Sequence, residues 1–330
     1  MPADRMAVAS MSALQRQRLL WRAAFFALFV LAPALDLFRL DLTQGHFILF
    51  GMPWTLDVRG AGSIEAGFNL ILRAFLPLAL IVGAGVWLSW RYGRLYCGWL
   101  CPHFSVVEAI NGLMRRASGK PTLWQREALP EVQSDGVRIH PQRAMWFLVA
   151  LAVLFFSLLW AVSLLTYLLP PGEIWGNLFA AALSRNQFIF IGVAATLFVI
   201  EFTLARHLFC RFGCAVGLFQ SLVWMANRKA LVVGFDRSRA ADCATCDSSC
   251  EHACPMRLQP RRIKRKMFTC TQCQQCVQAC ERVNLPQGKQ SLLQMVEGQC
   301  ALDVSERGFG RRPEVPAGCF RHDAQQGSGG

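Results

Sequence analysis

The segment Ala144–Leu169 contains 26 residues and no charged side chain, and this feature limits most strongly how the chain can fold. A helix needs roughly 20 apolar residues to cross the hydrocarbon core of a bilayer, and it satisfies its backbone hydrogen bonds internally, as lipid requires. Three further segments are apolar and nearly free of charge: Trp21–Leu40, Phe68–Trp90 and Phe188–Phe209. The sequence therefore predicts an α-helical membrane protein with about four transmembrane helices.

The first of these segments also has a second interpretation. Pro33, Asp36 and Arg39 interrupt its outer end, and the small residues Ala32-Pro33-Ala34 follow the apolar run. Together with the basic residues before the run, this pattern is also compatible with a cleaved signal peptide. Either way, the rest of the chain is expected to be a membrane protein with the same sidedness.

The net charge of +13 is distributed unevenly along the chain. Residues 1–22, 91–143 and 206–330 hold four, eight and eighteen Lys and Arg residues, whereas residues 41–67 and 170–186 hold one each. Basic loops stay on the cytoplasmic side of a membrane, so this alternation predicts that both termini are cytoplasmic. Membrane orientation thus accounts for the charge, and no nucleic-acid-binding motif accompanies it.

All fourteen cysteines lie in segments assigned to the cytoplasmic side. Because thiols stay reduced there, we interpret these cysteines as ligands or redox groups rather than as disulfides. Cys300 and Cys319 receive no specific role. Cys319 belongs to residues 301–330, a Gly-, Pro- and polar-rich tail that we expect to be disordered.

The region beyond the last span carries the most specific pattern in the chain. Two runs, CATCDSSCEHACP and CTQCQQCVQAC, each contain three close cysteines and a fourth cysteine after three intervening residues. In bacterial two-cluster ferredoxins the fourth cysteine of such a run ligates the other cluster. We therefore assign one [4Fe–4S] cluster to Cys243, Cys246, Cys250 and Cys280, and a second to Cys254, Cys270, Cys273 and Cys276.

Two details differ from the usual ferredoxin pattern, and zinc is the alternative metal. The first run has one extra residue between its second and third cysteines, and Glu281 stands where a proline often follows. Paired CxxC motifs also bind structural zinc, but runs of three plus one cysteine suit clusters better. Because residues 243–280 contain few large aliphatic side chains, we expect the clusters to replace a hydrophobic core.

Between the two runs lies RLQPRRIKRK, which carries six positive charges. We interpret it as a solvated basic loop near anionic lipid headgroups. The alternative is a functional role, in which its charges raise the cluster potentials or bind an acidic partner.

Two further cysteine pairs lie where apolar segments meet basic residues. LYCGWLCPHF contains Cys97 and Cys101, and LFCRFGCAVG contains Cys210 and Cys214, 113 residues later. The flanking residues also correspond, so we infer a unit of two spans, a CxxxC pair and an interfacial helix that is used twice. Cysteines at i and i+4 share a helix face. They suit a metal site, a dithiol–disulfide pair or an iron–sulfur centre; alternatively, they are small residues that let helices pack closely.

Three polar residues near these pairs are candidates for function. Glu201 lies inside an apolar segment, where a carboxyl group is costly and usually faces the protein interior. It is a candidate carrier for the proton that quinol oxidation releases, or alternatively an ion-pair partner of Arg206 or Arg91. His103 and His207 flank the pairs as candidate ligands, although a hydrogen-bonded interfacial histidine is the more common arrangement.

The motifs GRLYCGWLCP, CRFGC and CTQCQQCVQAC resemble those of the membrane-bound polyferredoxin group, over about residues 45–300. That group includes FixG/RdxA-type accessory proteins of cbb-type cytochrome oxidase, the quinol-oxidising ferredoxin-type subunit of periplasmic nitrate reductase and the membrane part of the nitrous-oxide-reductase regulator. The likeness is greatest to the oxidase accessory proteins, in which the implied task is copper reduction. It implies a multi-pass protein of the bacterial inner membrane.

The sequence departs from that group in three respects. It shows neither the sandwich domain that usually follows in the oxidase accessory protein nor a flavin-attachment motif like that of the nitrous-oxide regulator. Ala215 also replaces the proline that usually follows the second CxxxC pair. Identity with one particular member is therefore not implied.

These observations predict three regions: a four-helix membrane domain (residues 1–226), a small α+β two-cluster ferredoxin-like domain (227–300) and the tail (301–330). The expected function is electron transfer between a quinol pool or soluble donor and respiratory reductase or oxidase components. The alternative is a copper-reducing accessory factor for oxidase maturation, with copper or another metal at the CxxxC pairs. The chain would then be an electron-transfer protein or a metal or quinol oxidoreductase, and no residue is assigned a catalytic role.

Overall fold

Four helices have the length and apolar composition needed to cross a membrane: Ala13–Ala34, Ser63–Tyr92, Met145–Thr166 and Arg185–Ala205. The computed structural model describes residues 12–58, 60, 62–122, 124–244, 246–305 and 318–320, and most of these residues are helical. Fewer than half of the residues in each long helix are buried by protein. Large exposed apolar surfaces of this kind mark contact with lipid or a partner, so the architecture is compatible with a membrane protein.

The elements follow one another in a simple order. The helices are α1 (Ala13–Ala34), α2 (Ser63–Leu70), α3 (Leu76–Tyr92), α4 (Leu95–Trp99), α5 (Pro102–Ser118), α6 (Met145–Thr166), α7 (Pro171–Phe179), α8 (Arg185–Ile200), α9 (Ala215–Ala226), α10 (Ser249–His252), α11 (Gln275–Asn284) and α12 (Gln299–Ser305). The strands are β1 (Phe38–Asp41), β2 (His46–Leu49), β3 (Met52–Trp54), β4 (Val232–Phe235) and β5 (Leu293–Val296). One π-helical turn, Ile71–Phe75, joins α2 to α3, and another, Glu201–Ala205, extends α8.

The first span ends earlier than the sequence predicted. Helix α1 stops at Ala34, and Asp36 adopts a positive φ of 52° before the chain enters β1. Proline at position 33 cannot donate a helical hydrogen bond, so the helix ends where it occurs. The predicted segment Trp21–Leu40 is therefore wrong in its last part, because its final residues belong to an antiparallel sheet of β1, β2 and β3.

Helices from the two halves of the membrane region pack against each other reciprocally. Helix α5, which follows the first CxxxC pair, packs against α1 and against α6, whereas α9, which follows the second pair, packs against α3. Each half thus supplies a helix that covers the other half. This exchange brings the two CxxxC segments to the same end of the bundle.

The two predicted interfacial helices differ in their surroundings. Helix α9 exposes Val216, Phe219 and Leu222, as expected for a helix at a lipid surface. Helix α5 instead buries its apolar face within protein, with Val107 and Ile110 at 0% exposure. The expectation of a surface helix is wrong for α5, because α1 and α6 cover its apolar face.

The region after α9 is built around a two-stranded sheet. Strand β4 pairs antiparallel with β5, so that Val232 lies opposite Val296. Helix α11 packs beside β5 and contacts α10, while α12 covers β4. The buried side chains of Val232, Val233 and Leu293 form a small apolar core beneath the cysteine-rich loops.

Cys300 and Cys319 form a disulfide, with their Cα atoms 5.5 Å apart. The expectation that none of the fourteen cysteines forms a disulfide is therefore wrong for this pair. Phe320 next to it is 5% exposed and packs against Gly234. The predicted boundary at residue 300 falls inside α12, and residues 306–317 and 321–330 of the expected disordered tail lie outside the described residues.

The two ends of the bundle carry different elements. Gln15, near the start of α1, donates from Nε2 to the Cys273 carbonyl at 2.9 Å, so the N-terminal end of this helix meets the tail domain. At the other end, the Leu40 amide of β1 donates to the Tyr167 carbonyl at 2.9 Å. The grouping matches the charge alternation of the sequence, since the basic-rich segments share one end.

Candidate functional site

The cysteines assigned to the first cluster line one cavity in the tail domain. Cys243, Cys246, Cys250 and Cys280 all line the same pocket. Burial raises the pKa of Cys250 to about 12, and the neighbouring Cys280 and Cys246 thiols act in the same direction. The fold thus brings Cys280, from the second run, beside three cysteines of the first run.

The cysteines assigned to the second cluster are all buried. Burial raises the pKa of Cys254 to about 11, and Cys273 adds to the shift. Burial also raises the pKa of Cys276 far above its ordinary value, helped by its neighbours Cys254, Cys273 and Cys270. Burial thus keeps these four thiols protonated at neutral pH, and a metal group bound by this set would replace their protons.

Left-handed backbone positions shape the loops that carry these cysteines. Gln272 and Gln274, on either side of Cys273, have φ values of 55° and 60°, and Ser248 before α10 has a φ of 67°. Non-glycine residues rarely adopt such angles, and they concentrate at ligand sites. Backbone of alternating hand turns successive N–H groups toward one side, which favours negatively charged ligands. The loops therefore have the form expected around anionic sulfur.

Several donors point at the thiols, and the donor chemistry fits an anionic cluster. The Leu258 amide donates to Cys254 Sγ at 3.4 Å, and Asn284 Nδ2 donates to Cys280 Sγ at 3.5 Å. Burial raises the pKa of Cys243, while the Arg261 guanidinium lowers it. Hydrogen bonds and positive charge around the sulfurs are what stabilise a thiolate-bound cluster and adjust its potential.

Among the residues that the structure describes, no three His, Cys, Asp or Glu side chains form a group that could hold a metal ion. A zinc ion draws each of its thiolates to about 2.3 Å. A cubane instead binds each thiolate at a separate iron, and the four cysteines of the first set line one pocket.

The loop of the second set rests directly on α4, at a residue that lies between Cys97 and Cys101. A Cβ atom at Gly98 would stand 2.0 Å from the Thr271 carbonyl oxygen, so only glycine fits at this contact. Trp99 Nε1 donates to the Gln272 carbonyl at 3.2 Å. The second set and the first CxxxC pair are therefore adjacent.

A buried ion-pair network holds α1 and the cluster loop to α5. Glu108 accepts from Arg18 at 2.5 Å and contacts Arg22 at 2.9 Å. Gln275 Nε2, at the start of α11, donates to the same carboxylate at 2.6 Å. Burial alone would raise the pKa of Glu108, but Arg18 and Arg22 outweigh burial and lower it. One carboxylate thus connects three elements around the second set.

The basic segment between the two runs is not a solvated loop throughout, so that interpretation is wrong for part of it. Lys264 is 5% exposed and donates from Nζ to the Trp224 and Asn227 carbonyls, at 3.0 and 2.6 Å. Arg261 reaches Ser248 and the rim of the first cavity. These two carbonyls lie at the C-terminal end of α9, where the helix dipole favours a cation.

The two CxxxC pairs meet at one place. Cys97 and Cys210 are buried, and Cys101 and Cys214 are partly exposed. Burial raises the pKa of Cys101 to about 11, and the Cys97 and Cys214 thiols add to the shift. Burial likewise raises the pKa of Cys210, to which Cys101 and Cys97 contribute. The two CxxxC segments, 113 residues apart in the sequence, therefore lie side by side, and Arg94 Nη2 joins them by donating to the Cys210 carbonyl at 2.6 Å.

Glu201 pairs with His103, which corrects the expected alternatives Arg206 and Arg91. His103 Nε2 lies 2.7 Å from Glu201 Oε1, and Trp160 Nε1 donates to His103 Nδ1 at 3.3 Å. With Nδ1 accepting, Nε2 carries the proton that is donated to the carboxylate. Arg206 and Arg91 bond to other residues. The carboxylate is close enough to the membrane thiols to raise the pKa of one of them.

His207, the other flanking histidine, is buried among cations. Burial, together with Arg206, Arg257 and Arg211, lowers its pKa to about 4. The imidazole is therefore neutral at physiological pH. Its role as a ligand remains a prediction.

Three residues of the site escape notice in the sequence. Arg94 and Glu108 look like ordinary surface charges, and Gly98 looks like a spacer between two cysteines. The available signal is position, since Arg94 and Gly98 lie within three residues of Cys97 and Glu108 lies one helical turn after His103 and Phe104. Their partners belong to distant segments, which no local pattern reveals.

Comparison with known proteins draws attention to the two segments that carry the CxxxC pairs. The family model of a 4Fe-4S binding domain matches residues 74–121 and again residues 186–231. Each match contains one CxxxC pair. No solved structure matches the chain.

Three relatives share part of the sequence. The protein of Escherichia coli strain K12 named "Putative electron transport protein YccM" is 22% identical over 233 residues, which are 70% of this chain and 58% of the relative. Two proteins of Methanocaldococcus jannaschii, named as the uncharacterized proteins MJ0749 and MJ0750, are each 24% identical, over 66% and 58% of this chain and 78% and 70% of their own lengths. The chain thus covers less than two thirds of YccM. The family match and the likeness to YccM support an iron–sulfur electron-transfer protein.

Proposed function

We propose that this chain is a membrane-bound iron–sulfur protein that passes electrons from a quinol pool to an oxidised respiratory partner. The main support is the gathering of eight tail cysteines into two sets of four. The set of Cys243, Cys246, Cys250 and Cys280 would hold one [4Fe–4S] cluster, and the set of Cys254, Cys270, Cys273 and Cys276 the other. When bound, such clusters supply one-electron transfer at potentials set by charge, hydrogen bonds and exposure.

The chain's own residues place these sites in sequence from the tail to the membrane. Cys254 belongs to the first run but to the second set, and Cys280 belongs to the second run but to the first set. This exchange makes the two sets neighbours. The contact between Gly98 and Thr271 makes the second set a neighbour of the membrane thiols. A route from the membrane helices to the surface of the tail domain is therefore continuous through protein.

The pair of His103 and Glu201 supplies a base at the membrane end of that route. A quinol that becomes a quinone loses two electrons and two protons. In our proposal the electrons leave one at a time for the oxidised partner. Glu201, which accepts a hydrogen bond from His103, takes one proton, and the second proton goes to water.

The proposed location is a bacterial inner membrane, with both termini and the tail domain in the cytoplasm. The support is the excess of Lys and Arg in residues 1–22, 91–143 and 206–330. These segments share one end of the bundle through the contacts of Gln15 and Arg18.

The test is reduction by quinol. Anaerobically purified protein is mixed with a reduced menaquinol or ubiquinol analogue, and the visible absorbance of the clusters is followed. We expect bleaching that is slowed at least tenfold in Glu201→Gln, because the amide cannot accept the proton. The matched control is Glu65→Gln, which changes an exposed carboxylate at the other end of the bundle.

Two results would contradict this function. Clusters that dithionite reduces but quinol leaves oxidised would exclude a quinol donor. Equal rates in Glu201→Gln, Glu65→Gln and the parent would exclude Glu201 as the proton acceptor.

A copper-reducing accessory factor, the task implied by the FixG/RdxA-type proteins, is the second candidate. The observation in its favour is the convergence of Cys97, Cys101, Cys210 and Cys214, because soft thiolates bind Cu(I). Each Cu(II) would take one electron from the same quinol-derived supply. Reduced protein is tested for Cu(II) reduction beside Cys97→Ser and Cys210→Ser, and reduction that survives both substitutions excludes the thiols as the copper site.

A further inference from the structure

Arg94 carries a buried charge that its protein neighbours only partly satisfy. The residue is 1% exposed, and its Nη2 donates to the Cys210 carbonyl at 2.6 Å. Its Nε and Nη1 are buried without a hydrogen-bond partner among the described residues. Burying an unpaired charged donor costs about 1–3 kcal/mol or more, so such a group implies an anionic partner.

The guanidinium faces the cysteines. It opposes the effect of burial on the pKa of Cys97 and of Cys210, lowering both values. It also lowers the pKa of Cys270 in the second tail set against the effect of burial. Arg94 therefore lies near Cys97, Cys210 and Cys270, and it is hydrogen-bonded to the Cys210 carbonyl.

The surrounding backbone is shaped to admit this side chain. A Cβ atom at Gly217 would stand 1.7 Å from Arg94 Nη2, so the guanidinium passes α9 at a point where glycine leaves room for it. Gly93, the preceding residue, has a φ of 64°, which favours glycine, and it lies against the Trp224 ring. The position of Arg94 is thus built by residues of both halves of the membrane region.

We propose that Cys97, Cys101, Cys210 and Cys214 together hold a single third iron–sulfur centre, with Arg94 as its buried counter-charge. This inference rests on the proposed function, which requires only the two tail clusters. The family model matches the chain twice, but each match supplies only two cysteines to a common place. The two matches therefore describe one centre rather than two.

The surroundings favour a redox centre over a structural metal ion at this place. The four thiols stand next to the second tail set through Gly98 and Thr271, and next to the base Glu201. A group that accepts one electron at a time is useful between a proton acceptor and an electron carrier, whereas zinc has no redox chemistry. Four thiolates with one guanidinium also leave a net negative charge, which suits iron bound to sulfide and thiolate.

The test counts metals and sulfide in the full-length protein, purified and reconstituted without oxygen. Two cubanes account for about eight irons per chain, so the third centre predicts iron and sulfide above that number. Cys97→Ser and Cys214→Ser, one from each pair, should lose the same excess and the same EPR signal. Both should keep the signals of the tail clusters. Cys319→Ser, outside all three sets, is the matched control and should keep the full iron content.

Other results would overturn the inference without touching the proposed function. Iron of about eight per chain in the parent, unchanged in both serine variants, excludes a third cluster. Zinc or copper at one per chain that is lost in Cys97→Ser and Cys214→Ser assigns the thiols to a single ion. Iron absent altogether would instead defeat the proposed function itself.

The role of Arg94 has its own measurement, the midpoint potential of the third EPR signal. We expect Arg94→Gln to reduce the fraction of reduced centre at least tenfold at a fixed potential, a shift of about 59 mV for one electron. Arg94→Lys, which keeps the charge, should shift the potential less. Equal potentials in the parent and both variants would exclude Arg94 as the counter-charge, and the metal count remains decisive should either variant fold poorly.

Discussion

Gly98 lies so close to Thr271 that a Cβ atom at position 98 would stand 2.0 Å from the Thr271 carbonyl oxygen. Gly98 sits in α4 between the two cysteines of the first CxxxC pair, and Thr271 sits between the first two cysteines of the second run. At this point α4 and the tail loop touch through backbone atoms, and the Trp99 side chain adds a hydrogen bond beside it. This contact decides how near the tail sites come to the membrane thiols.

Replacing Gly98 by alanine should therefore separate the tail loop from α4. Overpacking of this kind costs about 1–3 kcal/mol, and we expect a lower thermal midpoint of the solubilised protein and slower cluster reduction by quinol. Gly112→Ala in α5 is the control, because a Cβ atom there meets nothing within 4 Å. A Gly98→Ala protein as stable and as fast as Gly112→Ala would show that the contact is not tight.

The exchange of ligands between the two cysteine runs predicts a specific pairing of mutants. Cys280→Ser should abolish the same EPR signal as Cys243→Ser, although the two residues belong to different runs. Cys254→Ser should abolish the other signal, together with Cys270→Ser. If Cys280→Ser and Cys270→Ser removed the same signal, each run would be shown to bind its own cluster.

Arg261 should raise the potential of the first tail cluster. Its guanidinium lies at the rim of the first cavity and lowers the pKa of Cys243, which burial raises. Positive charge near a cluster favours the reduced form, so Arg261→Gln should lower the midpoint potential by tens of millivolts; about 59 mV corresponds to a tenfold change. Arg265→Gln, at an exposed position, is the control. A potential that rises or stays constant in Arg261→Gln would contradict this role.

Lys264 should fasten the tail domain to the end of α9. Its ammonium donates to two carbonyls. The substitution Lys264→Met removes this donor from both carbonyls, at a cost of about 1–3 kcal/mol. The thermal midpoint should fall relative to the control Lys266→Met, which changes an exposed lysine. Equal midpoints in the two variants would show that the carbonyls find other donors.

The burial of Lys264 also makes the difference in stability between the parent and Lys264→Met depend on pH. Burial lowers the pKa of Lys264 to about 8 from its ordinary 10.5. Between these two values the unfolded chain holds more protons than the folded chain, so stability rises with pH. The parent should therefore gain stability relative to Lys264→Met from pH 8 to 10.5, and a constant difference across this range would contradict the lowered pKa.

Local patterns account for a large part of this molecule. The absence of charge over Ala144–Leu169 predicts a span because lipid excludes unpaired polar groups, and the helix Met145–Thr166 follows from it. The spacing within the two cysteine runs predicts which thiols share a cavity, because three close cysteines in a tight loop face one side. The predicted end of the first span was wrong. The apolar composition there suggested a continuing helix, but a proline ends the helix and the following residues join a sheet.

Distant contacts account for the remainder, and chain order alone does not reveal them. Whether the two CxxxC pairs form one site or two depends on α5 crossing to α6 and α9 crossing to α3, and that choice is made by the packing of whole helices. The same packing buries Arg94 and pairs Glu201 with His103, 98 residues away. Spacing along a helix determines which side chains share a face, whereas the partner that meets that face is set only when separate helices assemble.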